Sequence, residues 1–168
     1  MWSTMDSHTD GQASGCYHFQ MQIQRLFCLP LILVAASAMS ATIGQVKTSK
    51  GAAQVRRGGK AIPVHVGDPI EERDTIETGP DGSIGITFQD GTTFAAGPST
   101  NLIIENFRFD TRTVKGSLLA KMKRGSLAVE AGEITKTSPD AMKITTPGAI
   151  LGVRGTRFLV SVHSDKKK

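Results

Sequence analysis

Ionisable, nucleophilic and metal-binding side chains are few here and poorly grouped. Both cysteines, Cys16 and Cys28, lie near the N-terminus, so from Thr42 onward the chain keeps His65 and His163 and no thiol. Two imidazoles so far apart in sequence suit exposed strand positions better than a metal centre, which needs three or four converging ligands. Asp68, Glu71, Glu72, Asp74 and Glu77 form an acidic run that could attract calcium. The run lacks the spacing of a calcium-binding loop and is broken by Pro69 and Arg73, so it reads as a solvated loop. No Gly-x-Ser-x-Gly turn is present to activate a serine. Carboxylates are scattered along the chain, but the only Trp and Tyr, Trp2 and Tyr17, sit before the main body, leaving neither to line a sugar cleft. The residue types therefore point away from an enzyme and offer no cofactor motif.

Arg112, Lys115, Lys121, Lys123 and Arg124 form the one basic cluster. A nucleic-acid surface would combine such charge with stacking aromatics. The five aromatics from Thr42 onward are all Phe (Phe88, Phe94, Phe107, Phe109 and Phe158), and none interleaves with the cluster. The cluster reads as a solvated face or one turned toward anionic envelope material, and no nucleic acid is expected. From Thr42 onward Lys and Arg number 19 and Asp and Glu 13, a net of +6, because only Arg25, Asp6 and Asp10 precede that point.

The elements that must position these groups begin after a leader. Residues 1–20 are polar and unpatterned and read as an N-terminal extension, with Met21 as the natural start. Residues 21–41 have the layout of a signal peptide: Arg25, the apolar run Leu26–Ala36, then the small residues Ala36, Ser37 and Ala38. A retained membrane anchor is the competing reading, since the run stretches toward the roughly 18 residues of a span only by accepting Ser37, Ser40 and Thr42. Export places the remainder in a periplasm or outside the cell, where a cysteine-free domain avoids stray disulfides.

The body, 46–163, reads as short strands punctuated by turns. Thr42–Ala53 is a polar lead-in to a weak strand through Ala53–Arg57. Gly58-Gly59-Lys60 is a hairpin turn and Ala61–Val66 the return. Thr75–Thr78 precedes the turn Gly79-Pro80-Asp81-Gly82. Ser83–Phe88 alternates, with Ile84, Ile86 and Phe88 on one face, and Asp90-Gly91 turns it into Thr92–Ala95. Asn101–Glu105 and Phe107–Asp110 follow as separate short strands. Ser117–Arg124, Gly125 and the run through Leu127 and Val129 suggest a hairpin. Gly132–Asp140 is a polar loop, and 164–168 a basic tail. No segment after Ala41 carries helical spacing over ten residues, so the fold class is all-β: one compact domain of short antiparallel strands, sandwich-like or jelly-roll-like, with a short β-solenoid as the alternative.

The stretch Thr145–Val162 organises the rest. Pro147 starts a strand over Ala149–Val153, and Arg154-Gly155-Thr156 links it to Arg157–Val162. In the second strand Phe158, Val160 and Val162 share one face, with Phe158 expected in the core. Arg154 is expected in a structural salt bridge.

Several segments together resemble the FecR domain family. They are Gly67-Asp68, Asp74–Gly79, Phe88-Gln89-Asp90-Gly91-Thr92, Leu127 after Gly125, Thr146-Pro147-Gly148-Ala149, and Val153-Arg154-Gly155-Thr156-Arg157-Phe158. The family takes its name from the periplasmic part of regulators that sense ferric-siderophore uptake. The resemblance implies an all-β, non-enzymatic, cofactor-free module that contacts another protein in envelope signalling. Asp90, Gly91, Thr146, Pro147, Arg154, Gly155, Thr156 and Phe158 would be its fold-determining residues. Only about twenty residues precede the apolar run, so a stand-alone domain without direct sigma-factor control is expected. The rival role is a structural envelope protein that holds anionic cell-wall or membrane material by a basic face.

Overall fold

The computed structural model describes residues 41–138, 140–154 and 157–163. They form twelve strands and one short helix: β1 (Thr42–Lys50), β2 (Ala53–Arg57), β3 (Lys60–Pro63), β4 (Pro69–Glu71), β5 (Thr75–Thr78), β6 (Ser83–Phe88), β7 (Thr93–Ala96), β8 (Asn101–Asp110), β9 (Lys115–Glu130), α1 (Glu133–Thr137), β10 (Met142–Thr145), β11 (Ile150–Gly152) and β12 (Arg157–Val162). The all-β expectation holds: the strands form one curled sheet, antiparallel except for the β9–β10 pair.

Strand β9 is the spine. Its first half pairs with β8 on one side and, in parallel, with β10 on the other. Its second half pairs with β7 and β12. One layer therefore runs β3-β2-β5-β8-β9-β10-β11, and the other β12-β9-β7-β6-β1-β4. At Gly125, where φ is +100°, the strand passes from one layer to the other. An L side chain rarely adopts that φ, and a Cβ there would overlap Thr100. Thr100 secures the bend: its Oγ1 donates to Gly97 O at 2.8 Å and accepts from Ser126 N at 3.1 Å. Thr100 N donates in turn to Thr78 Oγ1 at 2.8 Å, joining β5 of one layer to the bend.

Chain connectivity shows that the bend folds β9 back on itself. Gly152 lies level with Leu119 through Lys143, whereas Arg157 lies opposite Glu130. A straight strand would separate Leu119 from Glu130 by about 36 Å. The five steps from Gly152 to Arg157 span at most roughly 18 Å. A straight β9 is therefore excluded, and its far end comes back toward its start: Ile134 in α1 packs over Gly116, and Thr137 Oγ1 donates to Val114 O at 2.6 Å.

Between the layers lies the core. One contributes Val46, Ile84, Ile86, Phe88, Phe94, Leu127 and Val129; the other contributes Ile76, Leu102, Ile104, Phe107, Leu118, Met122 and Ile144. Phe88 meets Phe94 edge-on at 4.9 Å and, from across the core, stacks with Phe107 at 5.4 Å. Apolar burial on this scale stabilises by about 25 cal/mol per Å².

Five expectations need correction. Thr42–Ala53 is not a lead-in: its first nine residues form β1, and the bulge between Val46 and Thr48 hides its alternation. The segments 101–105 and 107–110 are one strand, whose bulge between Ile104 and Asn106 places Ile104 and Phe107 inward three residues apart. Ser117–Val129 is not a hairpin but continuous through the bend. The 132–140 loop contains α1, and the return strand after Gly59 stops at Pro63 rather than Val66. The extension, signal peptide and basic tail lie outside the described residues, apart from exposed Ala41.

Candidate functional site

Among the described residues the buried polar side chains are occupied by structural bonds, except that Asn101 Oδ1 has no partner. Asp74, fully buried, accepts from Arg57 Nε at 2.8 Å and Nη2 at 2.7 Å, and from Glu71 N at 2.9 Å. Arg57 also bridges to Glu71, so one guanidinium ties the β2–β3 hairpin to the β4–β5 turn. Its hydrogen bond to Asp74 holds the Arg57 proton more tightly than usual. Elsewhere the acidic run is divided among separate partners. Asp68 accepts from His65 N, Glu72 from Asn106 Nδ2, and Glu77 from Gln54 Nε2 and Arg56 Nη2. The bond from Gln54 leads in holding the Glu77 carboxyl below the ordinary range. Among the described residues no three metal-binding side chains converge.

The motif residues fall in three places. Asp90 is buried in the turn between β6 and β7, where it accepts from Thr92 N at 3.1 Å and Thr92 Oγ1 at 2.6 Å. Thr92 Oγ1 accepts from Gly132 N at 3.0 Å, and Asp90 O accepts from Glu133 N at 2.9 Å, so the turn is fastened to the end of β9. Gly91 has φ of +81°, as a tight turn demands. Thr146 closes the β10–β11 turn through its Oγ1, which bonds both N and O of Ala149, with Pro147 between them. Phe158 faces the core from β12. Gly155 and Thr156 lie outside the described residues.

Two residues depart from expectation. Arg154 is exposed and has no ion pair among the described residues; Arg157 makes one instead, with Glu130 at 2.9 Å. Phe158 is half-buried rather than enclosed, because β12 is the outermost strand of its layer. The same geometry leaves all three residues of β11 exposed.

Four strands among the described residues stand at the ends of the sheet and its branches: β3, β4, β11 and β12. Edges invite another strand unless blunted. β4 is three residues long and opens on Pro69, β3 carries Lys60 and Pro63, and β11 has three residues ending in Gly152. β12 is different. Its six residues contain neither Pro nor Lys, their register with β9 is unbroken, and no described strand pairs its outer side. Half-buried Phe158 and Val162 line its inner face, and Leu159, 72 % exposed, stands on its outer face. Leu159 continues the row Gly85, Ala95, Ala128, whose small side chains leave it uncovered. The sequence reading found the alternation of β12 but not its outermost position, which depends on the bend at Gly125.

An open cleft of about 1010 Å³ beside the β2–β3 hairpin is lined by Arg56, His65, Glu77 and Arg124. Its carboxylate is already engaged by Gln54, Arg56 and Asn101, so no free acid–base pair is presented.

Residues 74–168 match the family model described as FecR protein. No curated protein and no solved structure matches the chain.

Proposed function

The chain belongs to the FecR protein family, and on that premise we propose that it is a non-enzymatic recognition module of envelope signalling, taking a protein partner along the free edge of β12. The family is associated with periplasmic signalling and regulation. The observation that carries the reading is the contrast among the four edges: three are short or blunted by Pro or Lys, and β12 is long and regular. A partner strand laid against it satisfies a row of backbone N–H and C=O groups and covers Phe158 and Val162. Leu159 supplies an apolar contact on the outer face. Strand addition derives affinity from the main chain and specificity from alternate side chains, so it needs no cofactor and no catalytic group.

The motif residues take the role of fold determinants in this account. Asp90 and Gly91 fasten one turn and Thr146 with Pro147 another, and both turns lie on chain that feeds the last strands. The module acts in the periplasm or outside the cell, delivered by the leader at 21–41. Among the described residues no helix is long and apolar enough to cross a membrane. A photo-crosslinker at Ser161 tests the reading in cells: one discrete protein adduct is expected, and its loss on Leu159→Lys.

A further inference from the structure

The outward face of the β8–β11 sheet carries a second surface, independent of the β12 edge. In β9 and β10 the residues Leu118, Ala120, Met122, Met142 and Ile144 are buried, so the alternate residues Leu119, Lys121, Lys123, Lys143 and Thr145 face away from the core. Pairing aligns them in rows. Ile103, Lys121, Thr145 and Ile150 form one, and Leu119, Lys143 and Gly152 the next. Ile150 is 71 % exposed beside the lysines, and no described element packs over it. Lys121, Lys123 and Lys143 have no ion pair among the described residues. The carboxylates bordering this face pair with none of the three: Glu77 is engaged by Arg56 and Gln54, Glu72 by Asn106, and Glu105 and Asp140, the latter beside Gly152, form no ion pair among the described residues.

We propose that this face docks on an anionic lipid surface, with Lys121, Lys123 and Lys143 on lipid phosphates and Ile150 among the headgroups. Three ammonium groups on one sheet face, without an ion pair among the described residues, complement a plane of negative charge. The isoleucine selects among anionic partners. A hydrated acidic polymer gains nothing from an exposed aliphatic chain, whereas a bilayer interface takes it in and adds apolar burial to the electrostatic attraction. The docking would hold the module against a membrane while the β12 edge stays open to a protein.

Vesicle co-sedimentation of the full chain tests this. The apolar leader gives the chain affinity for any bilayer, so the quantity to read is the gain from phosphatidylcholine vesicles to vesicles containing phosphatidylglycerol. At low salt that gain should be roughly tenfold, and it should fade as salt rises. It should disappear in K121E/K143E, fall severalfold in Ile150→Ser, and survive in K60E/R112E, which changes charge to the same extent elsewhere. No gain on anionic vesicles overturns the proposal, as does a gain that K121E/K143E retains. Undiminished binding by Ile150→Ser, with equal capture on poly-glutamate beads, would identify a polyanion site and overturn it too.

Discussion

Asp74 and Arg57 show how a single pair can hold two turns. Arg57→Ala would leave a fully buried carboxylate without its partner and should destabilise the domain by about 3–5 kcal/mol, read from chemical denaturation. Glu77 makes a milder contribution, and its sign follows from the lowered carboxyl. A group bound more weakly to its proton in the folded state stabilises above its unfolded value and loses that contribution as pH falls through the folded one. Stability should therefore drop on acidification below about pH 4.3, and Glu77→Gln should flatten that part of the profile. Gly125→Ala combines an unfavourable φ with overlap on Thr100 and should cost about 1–3 kcal/mol, measured as a lowered melting temperature. Legibility at this scale was uneven. Asp90-Gly91 was readable because a tight turn demands those residue types locally. The partner of Asp74 was not, because Arg57 reaches it from 17 positions earlier.

Among the elements, β6, β7 and β12 were legible because their alternation is unbroken and each has one apolar face. β1 and β8 were not read whole, for a shared reason. A bulge adds one residue and moves the next inward side chain from two positions away to three, so Ile43 with Val46, beside the irregularity between Thr42 and Gly44, and Ile104 with Phe107 lose the strand period. β9 misled differently, since Gly125 between two alternating runs has the signature of a hairpin turn yet marks a bend within one strand. The edge position of β12 changes what Phe158→Ala should do. A fully enclosed Phe truncation costs about 3–5 kcal/mol. Half-buried Phe158 should cost about 1–2 kcal/mol in the isolated protein, with a further loss visible only when a partner strand covers it.

For the whole molecule, short alternating runs and turn spacing were enough to indicate an all-β fold, with sandwich, jelly roll and short solenoid left open, and the binding role followed from the resemblance to the FecR family. The surface for that binding was not readable. It emerges only from the fold, in which β9 bends at Gly125 and β12 pairs its second half as an end strand. Two exposed features then stand out: an unblunted edge for a strand, and a lysine-bearing face with Ile150. The central claim is that β12 is where a protein partner adds. The most direct measurement places a photo-crosslinking residue at Ser161 on that edge, and in a parallel strain at Ala61 on the blunted β3 edge, in living cells. One discrete adduct from position 161, absent from position 61 and abolished by Leu159→Lys, is the predicted result. An adduct formed equally from position 61, or one from position 161 that survives Leu159→Lys, would contradict it.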